Sequence, residues 1–161
     1  ERSVVKRLED CIGMKINYIP QGTGGLTIVG EPLDFVIDET SHLKSNTYIE
    51  CSGGVRIGKY FHSGRGLTIF SNNHNWKSSV SIPYDEIQIA RSVTIGDAVW
   101  CGANVTIAPG ATIGNGVIIS TGSVVFGEIP DCAIVRGNPA IVINYRDKQT
   151  FEELYAKKKF Y

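Results

Sequence analysis

An all-β solenoid of triangular cross-section is the fold this sequence predicts, and three observations predict it. An aliphatic or small apolar residue returns at every sixth position through Ile95, Cys101, Ile107, Ile113, Ile119 and Val125. A second row runs two residues earlier, through Val93, Val99, Val105, Ala111, Val117 and Ser123, and a spacing of two is that of side chains on one face of a strand. Glycine is abundant, at 18 of 161 residues, and Gly96, Gly102 and Gly114 each follow a member of the first row. Neither a helix at period 3.6 nor a plain strand at period 2 returns after six residues. A chain that turns a corner every six residues does, and three such sides close one coil, with a small residue where the backbone crowds at the corner.

The elements follow in chain order within one expected domain, 1–161. Residues 1–40 read as an N-terminal cap and first strands, with Val4, Val5, Leu8 and Ile12 at helical spacing. Coils are expected over 41–70, where the two rows recur as Leu43, Ile49, Val55, Phe61 and Leu67 and as Ser45, Cys51, Ile57, Ser63 and Ile69. The phase then breaks, because 95 − 69 = 26 is not a multiple of six, whereas Ile89 shares the phase of Ile95. Residues 71–88 are therefore read as a protruding loop, polar and interrupted by Pro83, with coils resuming over 89–130. The remainder, 131–161, reads as a turn and a short helix over FEELYAKKKFY, lysines toward its C-terminus. Terminal helices are expected because a solenoid must cover its end coils.

Composition narrows the function. Sixteen Lys and Arg balance sixteen Asp and Glu, so no global field gathers nucleic acid or an anionic membrane. No apolar run approaches the roughly 18 residues of a membrane span, and ERSVVKRLED is too charged for a secretory core, so a soluble, cytoplasmic protein is expected. The opening on Glu1 leaves a preceding leader open. Cys11, Cys51, Cys101 and Cys132 form no CxxC pair, which disfavours a zinc site or a disulfide scaffold. Cys51 and Cys101 fall on inward rows and read as small buried hydrophobes.

The segment VTIGDAVWCGANVTIAPGATIGNGVIISTGSVVFGEIPDCAIVRGNPA, residues 93–140, resembles the C-terminal half of the hexapeptide-repeat acetyltransferases, such as the galactoside, maltose and serine enzymes. VRIG at 55–58 and the coil that ends in SNNHNW at 71–76 extend the resemblance. It implies a left-handed parallel β-helix, a homotrimer and acetyl-CoA as co-substrate, with no metal. His74 matches the family's catalytic base, a role that suits neutral imidazole, since an acceptor hydroxyl attacks a thioester poorly until its proton is taken. Trp100 matches the tryptophan beside the pantetheine arm. Gly102 and Ala103 match the positions whose backbone N–H holds the oxyanion. Thr121, Gly122, Ser123, Asn138 and Pro139 match the stretches along which coenzyme A lies.

Departures fall at the phosphate end, where Phe126, Gly127, Ile141 and Asn144 replace polar or basic residues; Arg136, Arg146 and Lys148 are near enough to substitute, and Arg146 is assigned to the cofactor. Asn46 matches a sugar-binding asparagine of the galactoside enzymes, but Cys51 stands where they have an acceptor-contacting aspartate. IECSGGVRIG is closer to enzymes that acetylate surface-polysaccharide precursors, so a saccharide hydroxyl is the expected acceptor, contacted by Asn46, Asn73, Trp76 and Tyr84. An amino-sugar N-acetyltransferase and a drug O-acetyltransferase stay open within the class. From other classes, a γ-carbonic-anhydrase-like zinc enzyme would use His42, His62 and His74, and an inactive trimeric scaffold would keep only the helix.

Overall fold

The computed structural model describes residues 2–161, with side chains described from Val5 onward. The chain winds through a three-faced prism of about six coils. The first face stacks Asn17–Ile19, His42–Lys44, the single bridging residue His62, Trp100–Cys101, Ile118–Ile119 and Ala133–Gly137. Leu26–Val29, Thr47–Glu50, Thr68–Phe70, Thr106–Ile107 and Val124–Val125 form the second. Phe35–Ile37, Val55–Ile57, Val93–Ile95, Thr112–Ile113 and Glu128–Ile129 form the third. Within these faces every pairing between successive coils is parallel, and Ile95 stands against Ile113, 113 − 95 = 18 residues or three six-residue sides later.

Both six-residue rows point inward. Every member from Leu43 to Ile69 and from Val93 to Val125 is at most 3% exposed. Each large aliphatic side chain so enclosed contributes about 1.5–3 kcal/mol. The serines in the rows are buried but partnered: Ser45 Oγ accepts from the Gln21 N–H, Ser63 Oγ from the Lys44 N–H and Ser123 Oγ from the Gly137 N–H. Burial pushes the Cys51 thiol up to about 11, and the fully enclosed Cys101 still further, so both stay protonated.

The corners explain the small residues. A Cβ added to Gly64 would lie 2.4 Å from the Gly102 carbonyl carbon, so coils stacked this closely leave no room for a side chain there. At the edge between first and second faces, Asn46 and Asn104 turn the chain at φ 62° and 56°, a left-handed conformation that Asn tolerates better than most residues.

The first strands expected within 1–40 are strands of the prism, whose first coil begins at Asn17. Later boundaries differ from the expectation. The excursion after the second face runs to Ala90, as an antiparallel hairpin of Asn72–His74 with Gln88–Ala90, and the prism resumes at Val93 rather than at Ile89. Ile89 keeps the phase of Ile95 by coincidence, since a hairpin strand also alternates. The last coil continues through Ala133–Gly137 and is followed by the antiparallel strand Ala140–Tyr145, which pairs with the open edge of that coil in place of a simple turn.

The helix at the C-terminus spans Lys148–Ala156, starting before Phe151 because Asp147 caps it by accepting from the Thr150 N–H at 2.7 Å; Lys157, Lys158 and Lys159 follow it. It lies along the side of the prism, with the Phe151 ring over Gly116 and the Tyr155 hydroxyl donating to Asp97. The N-terminal helix Arg2–Ile12 packs Val5, Leu8 and Ile12 against the first coil; Val4 lies outside the described side chains. Among the described residues no helix is long and apolar enough to cross a membrane.

Candidate active site

His74 is carried outside the prism on the hairpin. The root of that hairpin is clamped: the Arg91 N–H donates to the Ser71 carbonyl at 2.7 Å, and buried Ser71 donates from its hydroxyl to the Glu50 carbonyl while accepting from the Gly53 N–H. The run SNNHN suits this irregular stretch, because short amide side chains bond neighbouring backbone. Asn72 Oδ1 accepts from the Asn73 N–H, Asn73 Oδ1 from the His74 N–H, and the Asn75 amide donates to Asp85 across the loop. Tyr84 stacks face to face on the His74 ring, centroids 3.8 Å apart and planes 8° from parallel.

Two recesses flank the imidazole over the second face. One, about 460 Å³, joins His74, Asn73 and Gln88 to Glu50, Phe70 and Phe126. A smaller one adds Trp76 and Arg91 to His74, Asn73 and Phe126. Burial disfavours the charge on Glu50, but hydrogen bonds from Ser52 and Ser71 outweigh it and hold the carboxyl below its usual range. Asn73, Trp76 and Tyr84 therefore gather around His74. Asn46 sits at the corner between the first and second faces and lines neither recess. Phe126, noticed in the sequence only as an odd residue at a phosphate position, faces His74; its place one residue after inward Val125 marks it as outward and was the available signal.

The remaining residues lie elsewhere. Trp100, on the first face and half exposed, shares a recess with His62, Tyr60 and Arg146 and with the aromatic side chains of the C-terminal helix and tail. The buried Arg146 Nε has no hydrogen-bond partner among the described residues. Thr121 and Gly122 are exposed at the corner between the first and second faces, and Asn138 and Pro139 at the tip of the final hairpin. Ser123 is fully buried, so only its backbone can border a groove.

Of the two backbone groups that the resemblance matches to an oxyanion site, the Gly102 N–H is already used by the coil ladder, donating to Ile119 at 2.8 Å. The Ala103 N–H has no acceptor among the described residues, and the residue is partly exposed. Of the two N–H groups, that of Ala103 is the one left able to meet a ligand.

The His42 and His62 rings adjoin on the first face, centroids 4.2 Å apart and planes tilted by 37°, while His74 stacks on Tyr84, so the three do not converge. Among the described residues there is no group of three or more His, Cys, Asp or Glu able to hold a metal ion. Burial, with His62 and Lys44 adding repulsion, pulls the His42 imidazole down to about 4, and burial followed by Lys44 lowers His62. A folded-state value depressed below the ordinary 6.5 means stability that is complete above pH 6.5 and is lost as the pH falls toward 4. Thermal unfolding should accordingly give a lower Tm at pH 5 than at pH 7, with a shallower decline in His42→Gln; equal slopes in both proteins would contradict this origin.

Known proteins resemble this chain in sequence and fold. Residues 92–127 match the bacterial transferase hexapeptide (six repeats) family. Over 148 residues the chain is 36% identical to the putative lipopolysaccharide biosynthesis O-acetyl transferase WbbJ of Escherichia coli strain K12, covering 84% of this chain and 74% of that protein. The galactoside O-acetyltransferase of the same strain is 29% identical over 146 residues, covering 74% of this chain and 69% of that protein. A galactoside acetyltransferase solved in complex with coenzyme A superposes with a TM-score of 0.67 at 22% identity, over 93% of this chain and 76% of that one. The maltose O-acetyltransferase of Clostridium difficile 630 gives 0.66 at 22% identity, over 92% and 87%. The fold is thus the left-handed parallel β-helix. Similarity to WbbJ along most of both chains settles kinship: this chain belongs to the hexapeptide-repeat acetyltransferase family.

Proposed function

We propose that the protein moves an acetyl group from acetyl-CoA to a hydroxyl of a saccharide, a surface-polysaccharide precursor, at sites formed between the subunits of a homotrimer. The observation that carries this reading is the division of the site. His74 and its recesses lie on the hairpin over the second face, whereas Trp100, the free Ala103 N–H and Arg146 lie on the first face and its corner. The width of one prism side, roughly 13 Å for four extended residues, is too far for a proton and an acetyl group to be handled together. A second copy that sets its first-face corner against the His74 hairpin closes the distance and supplies the missing wall.

In that arrangement His74 takes the proton of the acceptor hydroxyl while the oxygen attacks the thioester carbon. Negative charge growing on the thioester oxygen is met by the Ala103 N–H. Cleavage of the carbon–sulfur bond releases the thiolate of coenzyme A, which recovers the proton from the imidazolium. Trp100 lies along the pantetheine arm, Thr121, Gly122 and the Asn138–Pro139 tip border the groove, and Arg146 stands nearest to the phosphates. No residue forms a covalent bond to the acetyl group.

The acceptor class rests on relatives named for O-acetyl transfer in lipopolysaccharide biosynthesis and to galactosides. Thiol release from acetyl-CoA should rise on adding saccharides or nucleotide sugars with free hydroxyls, and the product should lose its acetyl group in mild alkali, as esters do. An alkali-resistant amide formed on an amino sugar, with no ester, would overturn it.

A further inference from the structure

The face of the hairpin that carries His74 also carries two amide side chains. His74 and Gln88 are directly opposed partners of the antiparallel ladder, and Asn72, two residues before His74, lies on the same face. They form a chain of hydrogen bonds. The Asn73 N–H donates to Asn72 Oδ1 at 2.7 Å, Asn72 Nδ2 donates to Gln88 Oε1 at 2.8 Å, and Gln88 Nε2 stands 3.5 Å from His74 Nδ1.

The direction of this chain is determined at its first link. Only its partners tell one end of an Asn or Gln amide from the other. A backbone N–H can only donate, so Asn72 must offer it Oδ1 and turn Nδ2 toward Gln88. Gln88 must then offer Oε1 to Asn72 and turn Nε2–H toward the imidazole. A ring nitrogen facing an N–H donor meets it with a lone pair, so the neutral ring carries its proton on Nε2. Reversing the Gln88 amide would set its N–H against that of Asn72. Reversing both would set Asn72 Nδ2 against the Asn73 N–H. Tyr84, stacked on the ring at 3.8 Å, holds its plane.

We infer that Asn72 and Gln88 are positioning residues that select the tautomer of His74, keeping the lone pair on Nδ1 and so making Nδ1 the atom that takes the acceptor proton. The role in turnover rests on His74 being the base. At 3.5 Å the Gln88 contact is long for a hydrogen bond, and an acceptor hydroxyl approaching at about 2.7–2.8 Å replaces it at the same lone pair. Gln88 lines the 460 Å³ recess with His74, so the displaced amide remains beside the acceptor.

The test is side-chain nitrogen NMR of the histidine rings in the full chain, without acetyl-CoA or acceptor, at a pH where the rings are neutral. The His74 signals are assigned by their loss in His74→Ala. Wild type is expected to show a single Nε2–H form, Gln88→Leu a mixture of both tautomers, and Gln88→Glu, whose carboxylate can only accept, the Nδ1–H form. Gln88→Glu should also shift the acid limb of the pH–rate profile upward by about one unit, since a nearby negative charge favours the imidazolium. Gln88 is exposed, so these variants should fold. A wild-type ring in the Nδ1–H form, or equal tautomer ratios in wild type and Gln88→Leu, would overturn the inference. The spectra are independent of turnover, so an active His74→Ala would remove the base assignment while leaving the tautomer result standing.

Discussion

Replacing His74 with Ala lowers kcat by about 10²–10⁴-fold, the usual contribution of a positioned general base. The side chain is exposed on the hairpin, stacked on Tyr84 and beside Gln88, so stability should change by no more than about 0.5 kcal/mol. Circular dichroism and the oligomeric mass should match wild type. A sharper result comes from mixing. Trp100→Ala damages the opposite half of the site, and each variant trimer alone lacks an intact site. Randomly co-assembled trimers pair an intact His74 with an intact Trp100 at about one site in four, so the mixture should regain roughly a quarter of wild-type activity. If the mixture stays as inactive as its parts, both residues act within one chain and the intersubunit site is wrong.

Gly53→Ala produces the largest expected loss of stability. A Cβ there would lie 1.9 Å from the Ser71 carbonyl oxygen and 3.0 Å from the Arg91 nitrogen, backbone atoms that no rotamer change can move. Those atoms make the hydrogen bond that closes the root of the His74 hairpin. The clash costs about 3 kcal/mol, toward the upper end for overpacking, and lowers Tm by roughly 6–12 °C for a chain of this length. Whatever hairpin remains is displaced at its base, and a shift near 1 Å can cost about 10²-fold in turnover. Thermal unfolding with kcat measured at low temperature separates the two effects. An unchanged Tm would show that the root yields without strain.

These predictions draw differently on sequence and structure. Which side chains face inward was legible from Leu43 to Val125, because a coil with six residues per side repeats its inward pair at fixed intervals and burial enforces the period. His74 and Trp100 could be nominated from sequence too, since both stand in motifs that the repeat frames. The end of the excursion was not. A six-residue phase records an insertion only modulo six, so the 26 residues from Leu67 to Val93, a six-residue side plus a 20-residue excursion, show in the sequence as a shift of two. The phase of Ile89 then disguised a hairpin strand as a coil.

The site needed tertiary structure for the same reason, because its contacts join residues whose separation in the chain carries no period. Stacking of coils commits the Gly102 N–H to Ile119 and leaves that of Ala103 without an acceptor among the described residues. Hairpin register sets Gln88 opposite His74, and the outward direction of Phe126 brings it into the same recess. The amino-acid sequence alone therefore determined the prism and its core, and it singled out His74 as the imidazole to test. Only the folded chain decided that the Gly102 N–H is bonded while that of Ala103 has no acceptor among the described residues, that Tyr84 and Gln88 stand against the His74 ring, and that His74 and Trp100 lie on different faces, because hydrogen bonds are allocated by register and neighbours in space rather than by local pattern.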